Sequence, residues 1–84
     1  MKAKLKQASQ AALSIQLVRY LIALGEDRVC KRYLKKLVVD KVLHNDLNLV
    51  KAFTCFGIIY LRLESYGQAL ESFRNALNAQ ARLQ

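Results

Sequence analysis

An all-α fold, made of two antiparallel helix hairpins in a single domain, is predicted by three features of the sequence. Proline is absent and only three glycines occur in 84 residues, so long stretches carry no strong helix breaker. Good helix formers (Leu, Ala, Lys, Gln and Arg) dominate the composition. Apolar residues recur at helical spacing between short polar turns.

The elements follow in order. A first helix is expected from about Ala3 to Leu24, its stripe formed by Leu13, Leu17, Leu21 and Leu24. Gly25 stops it, because glycine takes the left-handed conformation at no steric cost. Asp27 is then placed to cap a second helix through its carboxylate. That helix is expected from about Arg28 to Leu43, with Cys30, Tyr33, Leu34 and Leu37 on one side. Arg28, Lys31, Arg32, Lys35 and Lys36 spread over an arc of roughly 140° on the other, at ~100° per residue. His44-Asn45-Asp46 breaks the pattern, and Asp46 or Asn48 is the expected cap of a third helix from about Leu47 to Leu63. Glu64-Ser65-Tyr66-Gly67 forms the next turn. A fourth helix then runs from Gly67 to about Arg82, with Leu70, Phe73 and Leu77 on its expected inner face.

The hairpins thus occupy residues 1–45 and 46–84. An internal repeat at an offset of 40 supports that division. It pairs Tyr20 with Tyr60, Leu21 with Leu61, Val29 with Ala69, Cys30 with Leu70, Tyr33 with Phe73 and Leu37 with Leu77.

Size and charge narrow the function. A 9.6 kDa chain has room for one domain and a modest core, yet 54% of its residues are hydrophobic. That surplus belongs in a core, an interface, or both. Fourteen basic and six acidic residues give a formal charge of +8, which favours acidic partners: nucleic acid, an anionic membrane surface or an acidic protein. Cys30 and Cys55 have no companion cluster and lie in apolar helical stretches, as buried thiols of a reducing cytosol would. Met-Lys-Ala-Lys-Leu-Lys begins like a signal peptide, but Gln7, Ser9, Gln10, Ser14, Gln16 and Arg19 interrupt the apolar region that should follow. The longest apolar run, Cys55 to Leu61, is too short to span a bilayer. A soluble, cytoplasmic protein is expected.

From Val50 to about Leu83 the chain carries Phe53, Phe56, Gly57, Tyr60, Ala69, Phe73 and Ala76 at the spacing of a 34-residue helix–turn–helix unit. In these residues the segment resembles a single tetratricopeptide repeat (TPR). The resemblance implies that Gly57 and Ala69 are small where the helices cross, that Phe56, Tyr60 and Phe73 fill the wedge, and that Ala76 lets a following helix approach. Two positions depart from the family pattern. Phe53 stands where tryptophan is commonest, and Ala81 replaces the proline that usually ends the unit. The first hairpin fits less well, with Leu17 and Lys36 at the positions equivalent to Gly57 and Ala76, and looks like a degenerate TPR-like unit.

In TPR proteins the first helix of each unit lines a concave partner-binding surface. Carried over, those positions are Lys51, Thr54, Ile58, Leu61 and Arg62. Thr54 and Ile58 replace the polar residues that clamp acidic C-terminal tails, so the strip instead suits the hydrophobic face of an amphipathic helix. The competing expectation is that Ile58 and Leu61 pack on the first hairpin. Two hairpins are fewer than TPR arrays usually need, and the sequence reaches Gln84 without an extra solvating helix; a second polypeptide is expected to finish the fold. In size, degenerate first hairpin and apolar groove the chain resembles the TPR-like chaperones of type III secretion needle subunits. In that family a small helical co-chaperone joins in sequestering a client's amphipathic helix.

Other classes fit less well. The basic arc and Lys2, Lys4 and Lys6 favour nucleic acid, but no recognition helix, stacking platform or zinc spacing accompanies them, and an acidic co-chaperone would satisfy the same charge. Catalysis is not expected. His44 stands at a turn without ligand partners, the six acidic residues are scattered, and no glycine-rich phosphate loop exists, so no metal or cofactor is expected either. Membrane-surface binding through the first helix lacks Trp or Phe anchors.

Overall fold

A computed structural model describes residues 2–43 and 45–83, with side chains from Gln10 onward. It contains helices α1 (Lys2–Ala23), α2 (Asp27–Val39), α3 (Asp46–Arg62) and α4 (Tyr66–Arg82), and no strand occurs among the described residues. The fold is all-α and built of helical hairpins, as the sequence predicts.

How the helices stop explains the short turns. After α1, the Gly25 amide donates to the Ile22 carbonyl and the Glu26 amide to that of Leu21, with Gly25 at φ +79°. This pair of bonds is a Schellman ending, which satisfies carbonyls that the helix would leave orphaned. The same pair closes α2, with Lys41 at φ 56°, and α3, with Glu64 at φ 59°. Lys41 therefore ends α2 at Val39, four residues before the expected Leu43. Leu37, a core residue, and Val42, half-buried against the core, are joined by the outer bond of that ending, and their burial offsets the strained φ of Lys41.

Glu64 is exposed, and its carboxylate makes no ion pair among the described residues, so glycine there would break no salt bridge. A left-handed non-glycine residue costs roughly 1–2 kcal/mol, part of which glycine gives back through the freer unfolded chain. Glu64→Gly is expected to stabilise the fold by about 0.5–1 kcal/mol, read as a rise of a few degrees in Tm. An unchanged or lower Tm would show that the α3 ending carries no such strain.

Two starts differ from expectation. Asn45, not Asp46 or Asn48, caps α3: its side-chain oxygen accepts from the Asn48 amide at 2.8 Å. Asp46 instead accepts from Arg82 Nε at 2.9 Å, tying the start of α3 to the end of α4. Asp27 does not cap α2 either. Its carboxylate accepts from Arg62 at 2.9 Å, and the same Arg62 nitrogen donates to the Ile22 carbonyl at 2.8 Å. The three helix ends that meet there are thus held by one guanidinium. His44 lies outside the described residues.

The third helix is the centre of the fold. It packs against α1, α2 and α4, whereas among the described residues α4 packs against α3 alone and does so more extensively than any other pair. The core runs from Ala11, Ile15 and Val18 of α1 through Cys30, Leu34 and Leu37 of α2 to Ala52, Cys55, Phe56, Ile59 and Tyr60 of α3.

The inward faces of the outer helices are not the leucine stripes. α4 buries Ala69, Ser72, Ala76 and Ala79, and leaves Leu70 and Leu77 exposed, Leu77 by 69%. Small residues at this spacing let the two helix backbones come close, and no following helix is needed to explain Ala76. α1 likewise buries Ala11, Ser14, Ile15 and Val18, while Leu13 is 71% exposed and Leu17 and Leu24 also face outward. The 40-residue repeat fails for the same reason. It pairs buried Cys30 and Leu37 with exposed Leu70 and Leu77, and buried Tyr60 with exposed Tyr20.

Candidate functional site

Along α3 the sequence sets Lys51, Thr54 and Ile58 in one line, because residues three or four apart share a helix face. The packing of α1 against α3 turns that line into one wall of a groove of about 330 Å³. Its other wall is Arg19 and Ile22 of α1, and Val50 and Cys55 complete it. The floor is apolar. Thr54 adds little polarity, since its hydroxyl donates to the Val50 carbonyl of its own helix at 2.7 Å. Val50 to Ile58 extends about 12 Å along the axis, roughly two helical turns. Arg19 and Lys51 place a cation on each wall.

Leu61 and Arg62 are not part of this groove. Leu61 faces solvent, and the Arg62 guanidinium is engaged by Asp27 and the Ile22 carbonyl. Arg62 therefore braces the groove's α1 wall instead of lining it. Arg19 and Ile22 were missed by the reading of α3 alone. A signal existed: Arg19 is the single charge between Gln10 and Leu24, in a helix otherwise free to be apolar.

The residues of the TPR resemblance meet on the other side of α3. Gly57 is buried beneath the Phe73 ring, and a Cβ added to it would fall on that ring, 2.7 Å from Cδ1 and closer still to Cε1 and Cζ. Phe56 and Tyr60 stack along the helix with centroids 6.0 Å apart. Ala69 and Ala76 are buried against α3. Phe53, Phe56 and Tyr60 also line an open hollow of about 220 Å³ that reaches Lys35 of α2 and Gln68, Glu71, Ser72 and Asn75 of α4. The wedge between α2 and α4 is thus only partly filled, and the described backbones of those two helices stay more than 8 Å apart at their Cα atoms.

On α2, Arg28, Arg32, Lys35 and Lys36 are exposed and Lys31 is half-buried. The Lys31 ammonium sits 5.9 Å from the Tyr60 ring centroid, within cation–π range.

The cysteines offer no reactive group. Burial pushes the Cys30 thiol up to about 11; the nearby Cys55 sulfur and Asp27 carboxylate add to the rise, and Arg62 opposes it. Burial likewise raises Cys55 against the pull of Arg19. Both thiols are free and protonated at neutral pH, and the Cys30 thiol donates weakly to the Val18 carbonyl at 3.5 Å. Among the described residues no group of three His, Cys, Asp or Glu is placed to hold a metal, and no helix is long and apolar enough to cross a membrane.

No protein-family model matches this chain, and neither the curated proteins nor the solved structures give a match.

Proposed function

We propose that this chain is a helix-binding interaction subunit, acting by binding and not by catalysis. The groove between α1 and α3 receives the hydrophobic face of a partner's amphipathic helix. One observation carries this reading: a groove two helical turns long, given an apolar lining by Ile22, Val50, Cys55 and Ile58, carries Arg19 on one wall and Lys51 on the other. A helix seated there places its apolar i, i+3/i+4, i+7 residues on the floor and acidic flanking residues toward the two cations. Charge complementarity with a chain of net charge +8 favours the same acidic occupant.

The outward leucines of α1 and α4 support a role inside a complex. Leu13, Leu17, Tyr20 and Leu24, and again Tyr66, Leu70, Phe73 and Leu77, follow one 4-3-4 spacing; all but the half-buried Phe73 are exposed. Contiguous apolar ridges of this kind mark surfaces that meet other chains. The finer reading is a small cytoplasmic chaperone that sequesters a client's helix together with a second helical co-chaperone, after the manner of the needle-subunit chaperones it resembles.

The test uses designed fluorescent peptides, one amphipathic helix with Glu flanks and the same helix with Lys flanks. The acidic peptide is expected to bind more tightly than the basic one. Ile58→Glu is expected to weaken it about tenfold or more, equivalent to ~1.4 kcal/mol. Ile58 is half-buried at the groove wall, so a retained helical spectrum separates lost binding from lost fold. Equal binding of both peptides, or binding indifferent to Ile58→Glu, would overturn the groove assignment.

A further inference from the structure

We propose that the outward face of α2 is a contact surface for the phosphate backbone of nucleic acid, bound without regard to sequence. This rests on a different face from the α1–α3 groove and does not depend on it.

The face is built from Arg28, Lys31, Arg32, Lys35 and Lys36, and among the described residues none of these five makes a salt bridge. The chain's acids lie elsewhere or are engaged. Asp27 is held by Arg62 and Asp46 by Arg82, Glu26 and Asp40 flank the two ends of α2, and Glu64 follows α3. Among the described residues Glu71 alone shares a hollow with a member of the arc, Lys35, in the C-terminal half of α2. Nearer the start of α2, Arg28, Lys31 and Arg32 are the described residues that line a surface recess. Three cations converging on one recess are what a phosphate group fits. Lys35 and Lys36 extend the charge along the helix, so that the face spans about 12 Å, more than one phosphate occupies.

The composition of the face selects nucleic acid over an acidic protein. Protein interfaces are anchored by a buried apolar or aromatic centre and are depleted in lysine. The five-residue arc holds no such anchor: Tyr60, the ring under Lys31, is buried, and the exposed Val39 is a single small side chain at the last position of α2, beyond Lys36. Backbone phosphates ask only for cations at suitable spacing. The arc holds no Asn or Gln for reading base edges, and its one ring is not available for stacking, so contacts stay on the backbone.

The experiment titrates the full chain with a 24-base-pair DNA duplex and a 24-nucleotide single-stranded RNA, by fluorescence anisotropy across salt. Three to five phosphate contacts predict a duplex slope of log K against log salt of about −2.7 to −4.5, and a shallower slope for the single strand. Arg28→Gln/Arg32→Gln is expected to make the duplex slope shallower by about 1.8 and to weaken binding about 30-fold at 0.15 M salt. Lys41→Gln/Arg74→Gln removes the same charge from exposed positions off the arc and is expected to leave the slope unchanged. Equal effects of the two double variants would overturn the assignment, as would a wild-type duplex slope shallower than about −2. Binding of poly-glutamate but of neither nucleic acid would overturn it in favour of an acidic protein.

Discussion

Gly57→Ala is expected to destabilise the protein by about 1–3 kcal/mol, although alanine is the better helix former. Position 57 is inside α3, where replacing glycine with alanine in open solvent would add about 1 kcal/mol of stability. Here the added methyl would coincide with the Phe73 ring, which lies across the hairpin on α4. Phe73 can make room only by leaving the space between the helices or by pushing α4 away from the small-residue seam of Ala69, Ser72, Ala76 and Ala79. Either movement opens the most extensive helix–helix packing among the described residues. In a domain of this size 1 kcal/mol corresponds to roughly 4–8 °C, so circular dichroism melts resolve the effect. The second site supplies the control. Phe73→Leu alone should destabilise modestly, but in the Gly57→Ala background it should recover part of the loss, a coupling of about 1 kcal/mol or more. A Gly57→Ala variant as stable as the parent would mean that α3 and α4 do not cross at this residue.

That clash also shows which parts of the fold were legible in the sequence. Gly57 and Phe73 were singled out through the resemblance to a tetratricopeptide repeat, which implies a small residue where the helices cross and an aromatic in the wedge beside it. The number of helices and the stop at Gly25 were legible for a local reason: both depend on residues within one turn of each other. Lys41 and Glu64 were not legible as helix ends. Their side chains disfavour the left-handed conformation they occupy, and it is held by the Schellman bonds together with the burial of flanking residues such as Leu37 and Tyr60.

The buried faces of α1 and α4 were misread because hydropathy follows the large residues. Leucines mark the stripe, but Ala69, Ser72, Ala76 and Ala79 are what permit close approach, and the leucines turn outward. The groove was legible by half. Lys51, Thr54 and Ile58 follow from spacing on one helix, whereas Arg19 and Ile22 join them only through the packing of α1 on α3, about thirty residues away in sequence. Leu61 and Arg62 continue the same line on α3, yet the turn after α1 takes Arg62 for a structural bond, and spacing cannot foresee that.

Ile59→Ala is the substitution expected to do most damage, about 2–5 kcal/mol, through the methylenes lost and the cavity left behind. Ile59 is fully buried, among the largest of the completely enclosed side chains, and belongs to α3, the helix that packs against every other. A domain of this length has roughly 4–13 kcal/mol of total stability, at ~0.05–0.15 kcal/mol per residue. The substitution can therefore remove a third or more of it. Because α3 is shared by both hairpins, the loss should appear as one cooperative transition at lower temperature or denaturant, not as melting of α4 alone. Leu77→Ala gives the contrast: it also shortens an aliphatic side chain on a neighbouring helix, but Leu77 faces solvent, and the change should stay within about 0.5 kcal/mol. Urea titrations of the two variants read the difference directly as a shift in midpoint at unchanged slope. Comparable losses from Ile59→Ala and Leu77→Ala would place Leu77 in a packed interface already present in the isolated chain. A large loss from Ile59 alone leaves the outer ridge of α4 free for another polypeptide.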